Sequence, residues 1–150
     1  MSDNERKIIN HSITRLLSRR EHSQVEIINK LLLKGLDESL IRQQLTLFVE
    51  KDIQSDVRFV ESFIRSKVQK GQGKQRIEMA LKQHNIDENV IAQGFAENFQ
   101  DFNQIALHVY RKKYADKPIV DWQDKQKRMR FLQYRGFNTA QINYVLKQIS

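Results

Sequence analysis

Fourteen basic residues in three clusters are the groups in this chain best suited to chemistry, and the chemistry they suggest is the capture of an anion. The first cluster is Arg19 and Arg20. The second is Arg65, Lys67, Lys70, Lys74 and Arg76. The third is Arg111, Lys112 and Lys113, followed after Lys117 by Lys125, Lys127, Arg128 and Arg130. The formal net charge of +8 is unevenly spread: residues 1–50 and 51–100 each carry +1, and residues 101–150 carry +6. A surplus so placed implies an anionic partner near the C-terminal third, either nucleic acid, an acidic protein face or both. The competing reading is a solvated surface kept for solubility. For Arg19 and Arg20 there is also a local reason, since cations at a helix C-terminus interact favourably with its dipole.

Gly71-Gln72-Gly73-Lys74 has the look of a phosphate loop, but it lacks the required spacing and the Ser or Thr after the lysine. It reads better as a turn between helices. A glycine turn that opens a helix nevertheless exposes N–H groups, and Lys70, Lys74 and Arg76 crowd around it, which makes an anion contact there a second expectation.

Other chemistries are excluded or unsupported. Cysteine is absent, which removes disulfides, thiol nucleophiles and thiolate metal sites. His11, His22, His84 and His108 lie far apart without paired ligand spacing, and read as surface or partly buried helix residues. Neither a nucleophile elbow nor a dinucleotide glycine pattern occurs. The expectation is a protein without catalytic residues, cofactor or metal. Phe59, Phe63, Phe95 and Phe131 follow helical stripes and read as core rather than as base-stacking groups, while Trp122 and Tyr134 stay open between the two roles. The segment from Met1 to Lys7 is polar and of mixed charge, unlike a secretory signal, and no run of about 20 apolar residues would span a membrane. A soluble cytoplasmic protein is expected.

The elements that must position these cations are helices, and they recur. Aligning Gly35 with Asn85 and Gly136 places Leu31, Leu81 and Leu132 four residues earlier. Leu36, Ile86 and Phe137 follow directly, then Asp37, Asp87 and Asn138. Ile41, Ile91 and Ile142 come next in register, then Leu45, Phe95 and Leu146. A period of about 50 residues signifies copies of one supersecondary unit. Glycine, or asparagine in its place, suits the left-handed residue past a helix end. Asp or Asn two residues on caps the next helix. The apolar residue between them closes onto the leucine behind and staples onto the isoleucine ahead.

The predicted fold is all-α: three tandem three-helix repeats, over 5–52, 53–100 and 101–150, forming an elongated array. In the first, Ile9, Ile13, Leu16 and Leu17 line helix one, which ends near Arg19 and Arg20. Ser23 and Glu26 form a capping box. Ile27, Ile28 and Leu31 line helix two, and Ile41, Leu45 and Phe48 or Val49 line helix three. The second repeat uses Phe59, Val60, Phe63 and Ile64, then Ile77, Ala80 and Leu81, then Val90, Ile91 and Phe95, ending near Phe99. In the third, Phe102 to Tyr114 carries Ile105, Ala106, Val109 and Tyr110. Residues 115–120 form a connector, Asp121 caps a helix with Trp122, Met129 and Leu132, and Asn138 caps the last, with Ile142, Val145, Leu146 and Ile149.

Two stretches carry a family resemblance. Leu17-Ser18-Arg19-Arg20-Glu21-His22-Ser23, then Glu26, Lys30-Leu31 and Lys34-Gly35, closely resembles the first-repeat motif of the RecX recombination regulators. Asp56, Arg58-Phe59, Ser62-Phe63-Ile64-Arg65, Lys70-Gly71, Gly73 and Arg76-Ile77 resemble the second. The third repeat matches by pattern more than by motif, and Gln72-Gly73-Lys74-Gln75 departs from the Gly-Pro common in the family. The resemblance implies a cytosolic modulator of RecA with a curved array of three-helix repeats. It would bind in the groove of the RecA filament on single-stranded DNA, and would suppress filament growth, ATP hydrolysis, strand exchange and coprotease activity. The fourteen cations are then candidates for contact with RecA or DNA. A monomer is expected, since no heptad seam is present. The competing function is direct DNA binding by a helix-turn-helix unit without RecA. The near balance of charge in the first two repeats counts against it, as does the lack of a helix with clustered base-reading residues.

Overall fold

Three left-handed residues at the predicted positions punctuate the chain: Gly35 at φ 78°, Asn85 at φ 60° and Gly136 at φ 102°. The computed structural model describes residues 2–150. Among them run nine α-helices and no strand: α1 Ser2–Arg19, α2 Gln24–Leu33, α3 Glu38–Glu50, α4 Asp56–Gln69, α5 Lys74–Gln83, α6 Glu88–Glu97, α7 Phe102–Tyr114, α8 Trp122–Tyr134 and α9 Thr139–Ile149.

The turns close as the residue types dictate. Gly35 N–H donates to Leu32 O and Leu36 N–H to Leu31 O. Gly136 N–H donates to Gln133 O and Phe137 N–H to Leu132 O. Each pair satisfies carbonyls that the helix end would otherwise leave bare. Asp37 accepts from Leu40 N–H, and Asp87 from Asn89 N–H. Asn138 and Gln141 complete a reciprocal capping box, as do Ser23 and Glu26. A fourth closure ends α4, where Gly71, at φ 80°, donates to Val68 O and Gln72 N–H donates to Lys67 O.

In space the residues group into two compact units. Unit 1 comprises residues 1–62 and 82–97, and unit 2 residues 63–81 and 98–150. In unit 1, Ile9, Ile13, Ile27, Ile28, Leu31, Ile41 and Leu45 form one buried cluster among α1, α2 and α3, with Leu16, Leu17, Leu36, Phe48 and Val49 packed against it. Full burial of one such side chain contributes about 1.5–3 kcal/mol. Elsewhere in the unit α6 comes close to α4: a Cβ at Gly94 would lie 2.3 Å from Val60 Cγ1. In unit 2, α7 packs on α9, burying Phe102, Ala106, Leu107, Val109 and Tyr110 together with Ile142 and Val145. The backbone crosses itself at Gly73 and Gly136. A Cβ on Gly73 would stand 2.5 Å from the Gly136 carbonyl, and one on Gly136 would stand 2.5 Å from Arg76 Cβ.

Several expectations change. Trp122 is 70% exposed and Tyr134 76%, so neither belongs to the core. The helix expected to end near Phe99 ends at Glu97, and Phe99 lies exposed beyond it. His22, expected on a helix, instead sits buried in the connection between α1 and α2. Leu107, absent from the predicted stripe of α7, is buried, on a helix that meets both α8 and α9.

Candidate functional site

Sorting the sequence by these units sharpens its charge pattern. Unit 2 holds 15 Lys and Arg against 5 Asp and Glu, a net +10, while unit 1 is at −2. Contiguous thirds of the chain hide this, because basic residues 63–81 belong with the C-terminal residues, and the more acidic 82–97 with the N-terminal ones.

Within unit 2 the cations meet at a groove of about 660 Å³. One wall is the end of α4 and its closing turn, with Val68, Lys70 and Gly71. A second is one face of α7, where Ile105, His108, Val109, Lys112 and Lys113 recur at helical spacing. The third is the C-terminal end of α8, with Phe131 and Arg135 one turn apart. Lys70, Lys112, Lys113 and Arg135 supply positive charge, Val68, Ile105, Val109 and Phe131 an apolar surface, and among the described residues no Asp or Glu lines the groove. Lys70, His108, Lys112 and Lys113 are exposed, and Arg135 is half-buried.

Two of these cations are held in place. The Arg135 guanidinium donates from Nη1 to the Lys70 carbonyl at 3.0 Å and lies 5.3 Å from the centre of the Phe131 ring. Lys113 Nζ lies 4.3 Å from the centre of the same ring. Phe131 also meets Tyr114 edge to face at 5.7 Å, which keeps the ring from turning away. Cations near an aromatic ring are attracted by its quadrupole, so Phe131 acts here as a fixed seat for two positive groups.

The other sequence-selected cations have varied fates. Arg19 and Arg65 are exposed on α1 and α4. Arg20 donates to both carboxylate oxygens of Glu26, at 3.2 and 2.8 Å, and so supports the capping box of α2. Lys67 is half-buried over the Phe63 ring at 5.2 Å. Lys74 pairs with Glu78 at 3.9 Å. Arg76 stacks at 5.1 Å over the exposed ring of Tyr134. Arg111 and Lys125, with Lys117, border a second cavity of about 550 Å³ beside the 115–119 connector. Lys127 and Arg130 are exposed on α8.

Arg128 is a correction. Only 5% exposed, it donates to Tyr110 Oη and the Lys117 carbonyl at 2.7 Å each and to the Pro118 carbonyl at 3.2 Å, and it pairs with Asp124 at 3.1 Å. Burial pulls its pKa down, but the bonds to Tyr110 and Asp124 outweigh that and hold it above the usual value. Its guanidinium fastens the connector and is not offered to a ligand. The anion contact expected at the start of α5 is corrected too. Gly73 N–H donates to the Arg135 carbonyl at 2.7 Å and Gln75 N–H to the Gly136 carbonyl at 3.2 Å, so two of the free donors of that helix end are already taken.

The sequence reading missed Arg135 and His108. Arg135 is the C-cap of α8, immediately before the repeated glycine. A basic residue there reads as a partner of the helix dipole, and nothing local shows that it turns toward α4. The motif residues of the first two repeats, by contrast, largely hold one another. Asp56 Oδ1 accepts from Gln24 N–H and from Gln54 Nε2, Gln54 Nε2 also donates to the His22 carbonyl, and Arg58 pairs with Glu21 and Asp52. His22 donates from Nδ1 to the Arg20 carbonyl and accepts at Nε2 from Lys30. Burial pushes its pKa down, so the neutral ring is favoured. Among the described residues no cluster of three or more His, Asp or Glu is placed to hold a metal ion, and no helix is long and apolar enough to cross a membrane.

Helical repeats joined by capped turns, with a basic groove as the main concentration of chemistry, define an all-α protein of tandem three-helix design. The family model for the second three-helix domain of RecX matches residues 55–94, and that for the third matches residues 100–146. The chain is 38% identical to the regulatory protein RecX of Vibrio campbellii, over 87% of this chain and 84% of that one. It is 35% identical to that of Legionella pneumophila, over 92% of each. The crystal structure of RecX from Lactobacillus salivarius superposes with a TM-score of 0.85 at 17% identity, covering 99% of this chain and 98% of that one. The chain belongs to the RecX family of regulatory proteins. These relatives are named as regulators, not as enzymes.

Proposed function

We propose that this protein binds the RecA filament on single-stranded DNA in the cytoplasm. It inhibits filament extension, ATP hydrolysis, strand exchange and coprotease activity, and so modulates recombination and repair. Its tandem repeats occupy 5–52, 53–100 and 101–150, and it acts as a monomer. The observation that carries the reading, beside family membership, is the +10 surplus of unit 2, four of whose cations line one groove that no Asp or Glu among the described residues joins. A filament that bears DNA is a long array of negative charge, and a basic surface is drawn to it. Contact with successive protomers restricts the changes that accompany ATP turnover or blocks addition at an end.

The test is a titration into preformed RecA filaments on single-stranded DNA, following ATP hydrolysis near physiological salt. Inhibition well below one molecule per protomer is the expected result. Undiminished hydrolysis with the protein in excess would sink the proposal and move direct DNA binding by a helix-turn-helix unit into its place. The basic groove favours that second reading enough to require its own measurement. Strong sequence preference on DNA without RecA would support it, and weak, sequence-indifferent binding would not.

A further inference from the structure

We infer that the groove between the end of α4, α7 and the C-terminal end of α8 takes a single-stranded phosphodiester backbone through its phosphates alone, with Phe131 as the residue that positions the contacting cations. The inference rests on the proposed function and assigns the strand contact within it.

The choice of a phosphodiester over an acidic protein segment comes from the groove's donors. Three of its cations, Lys70, Lys112 and Lys113, are ammonium groups at an exposed rim, each a point charge that a phosphate can meet from several directions. The fourth, Arg135, already donates from Nη1 to the Lys70 carbonyl, which leaves less of its planar fork for paired capture of either a carboxylate or a phosphate, so it too acts mainly as a point charge. A strand with a charge on every unit suits several spaced point charges.

Indifference to the bases follows from the engagement of Phe131, the one Phe, Tyr or Trp among the described residues that line the groove. Single-strand binding proteins commonly stack bases on such rings. Phe131, however, is engaged by Lys113 at 4.3 Å, by Arg135 at 5.3 Å and by the edge of Tyr114. A base could stack on it only by displacing a cation that the phosphates need. One local feature opposes an anion, the negative pole of α4, whose C-terminus forms one wall. That pole amounts to about half an elementary charge, and Arg135 already donates to a carbonyl beside it. Four full positive charges prevail.

The experiment measures fluorescence anisotropy of the full chain, without RecA, on three probes: a labelled thymidine 20-mer, an abasic deoxyribose-phosphate 20-mer and a poly-glutamate of matched charge. The two strands should bind within about threefold of each other, and poly-glutamate should bind more weakly. Four phosphate contacts predict a slope of log K against log salt of roughly −3. Lys112→Gln with Lys113→Gln should flatten that slope by about 1.4. Phe131→Leu keeps every charge yet should weaken binding about three- to tenfold, whereas Phe131→Tyr, which restores the ring, should bind like the parent. Circular dichroism confirms that each variant is folded. An abasic strand bound at least tenfold more weakly, a tighter grip on poly-glutamate, an unchanged slope in the lysine variant, or equal binding by the leucine and tyrosine variants would each overturn the assignment. Because RecA is absent, the filament proposal stands or falls on its own titration.

Discussion

Replacing Arg128 with methionine separates the two roles that sequence allows it. The change keeps the apolar stem and removes the guanidinium. Tyr110 is 1% exposed, so its hydroxyl loses its 2.7 Å donor where water has little access. An unsatisfied buried group of this kind costs about 1–3 kcal/mol. Contact with the Tyr114 ring, 4.5 Å from the guanidinium carbon, is lost as well and contributes about 0.5–2 kcal/mol. The carbonyls of Lys117 and Pro118 belong to exposed residues and regain water, so they add little. The total is a loss of about 1.5–5 kcal/mol. For a chain of this size that lowers Tm by roughly 3–20 °C. Thermal and urea unfolding followed by circular dichroism would measure it, with Arg130→Met as the exposed control, expected within about 0.5 kcal/mol of the parent. A loss below about 1 kcal/mol for Arg128→Met, or parity with the control, would refute the claim that its bonds fasten the connector.

Three further outcomes are expected. Gly73→Ala forces a Cβ to 2.5 Å from the Gly136 carbonyl, a backbone obstacle, and should destabilise by about 3 kcal/mol or more, read by urea titration. Gly35→Ala, at φ 78° with open space around it, carries only the left-handed strain of roughly 1–2 kcal/mol, so parity between the two variants would contradict the backbone crossing. Buried His22 has a folded pKa below its ordinary 6.5, so the unfolded chain binds the proton more readily; stability should be full above pH 6.5 and decline as pH falls below it. His22→Gln should abolish that part of a pH series of urea midpoints, and an unchanged profile would show that another group causes it. Glu26, pushed up by burial but held low overall by Arg20 and Ser23, adds a separate loss only below about pH 4.5, which Glu26→Gln should remove from the same series.

The helix boundaries were legible because their signals are local. A left-handed residue, an apolar residue and an Asp or Asn lie within four positions, and each acts on backbone groups of its own turn. That is why Gly35, Asn85 and Gly136 adopt positive φ and why Asp37 and Asn138 cap as expected. Core positions on α1 and α2 followed from spacing for the same reason. The groove was only half legible. Lys70, Lys112 and Lys113 were visible as charges, but their meeting depends on the placement of α7 beside the end of α4, which no local pattern encodes. Arg135 was hidden by an equally good local explanation, the helix dipole. Arg128 was misread because its burial is created by residues 117 and 118 returning over α8, an event outside its own helix.

The same distinction limits what a count of cations can say about binding. The sequence offers fourteen candidates, and if all met phosphates the salt slope on a single strand would be near −10. The fold withdraws several from that sum. Arg20 is bound to Glu26, Arg128 to Tyr110 and the connector, and Lys74 to Glu78. A cation already paired releases few counterions from a strand, because forming one contact breaks another. Four positive groups around a single groove instead give a slope near −3, with much of the remaining charge acting as a diffuse field that screening by salt removes. The slope therefore measures the division of labour directly. A value near −3 locates the contact in the groove of unit 2, and one approaching −10 means that the binding surface extends across cations which the groove does not contain.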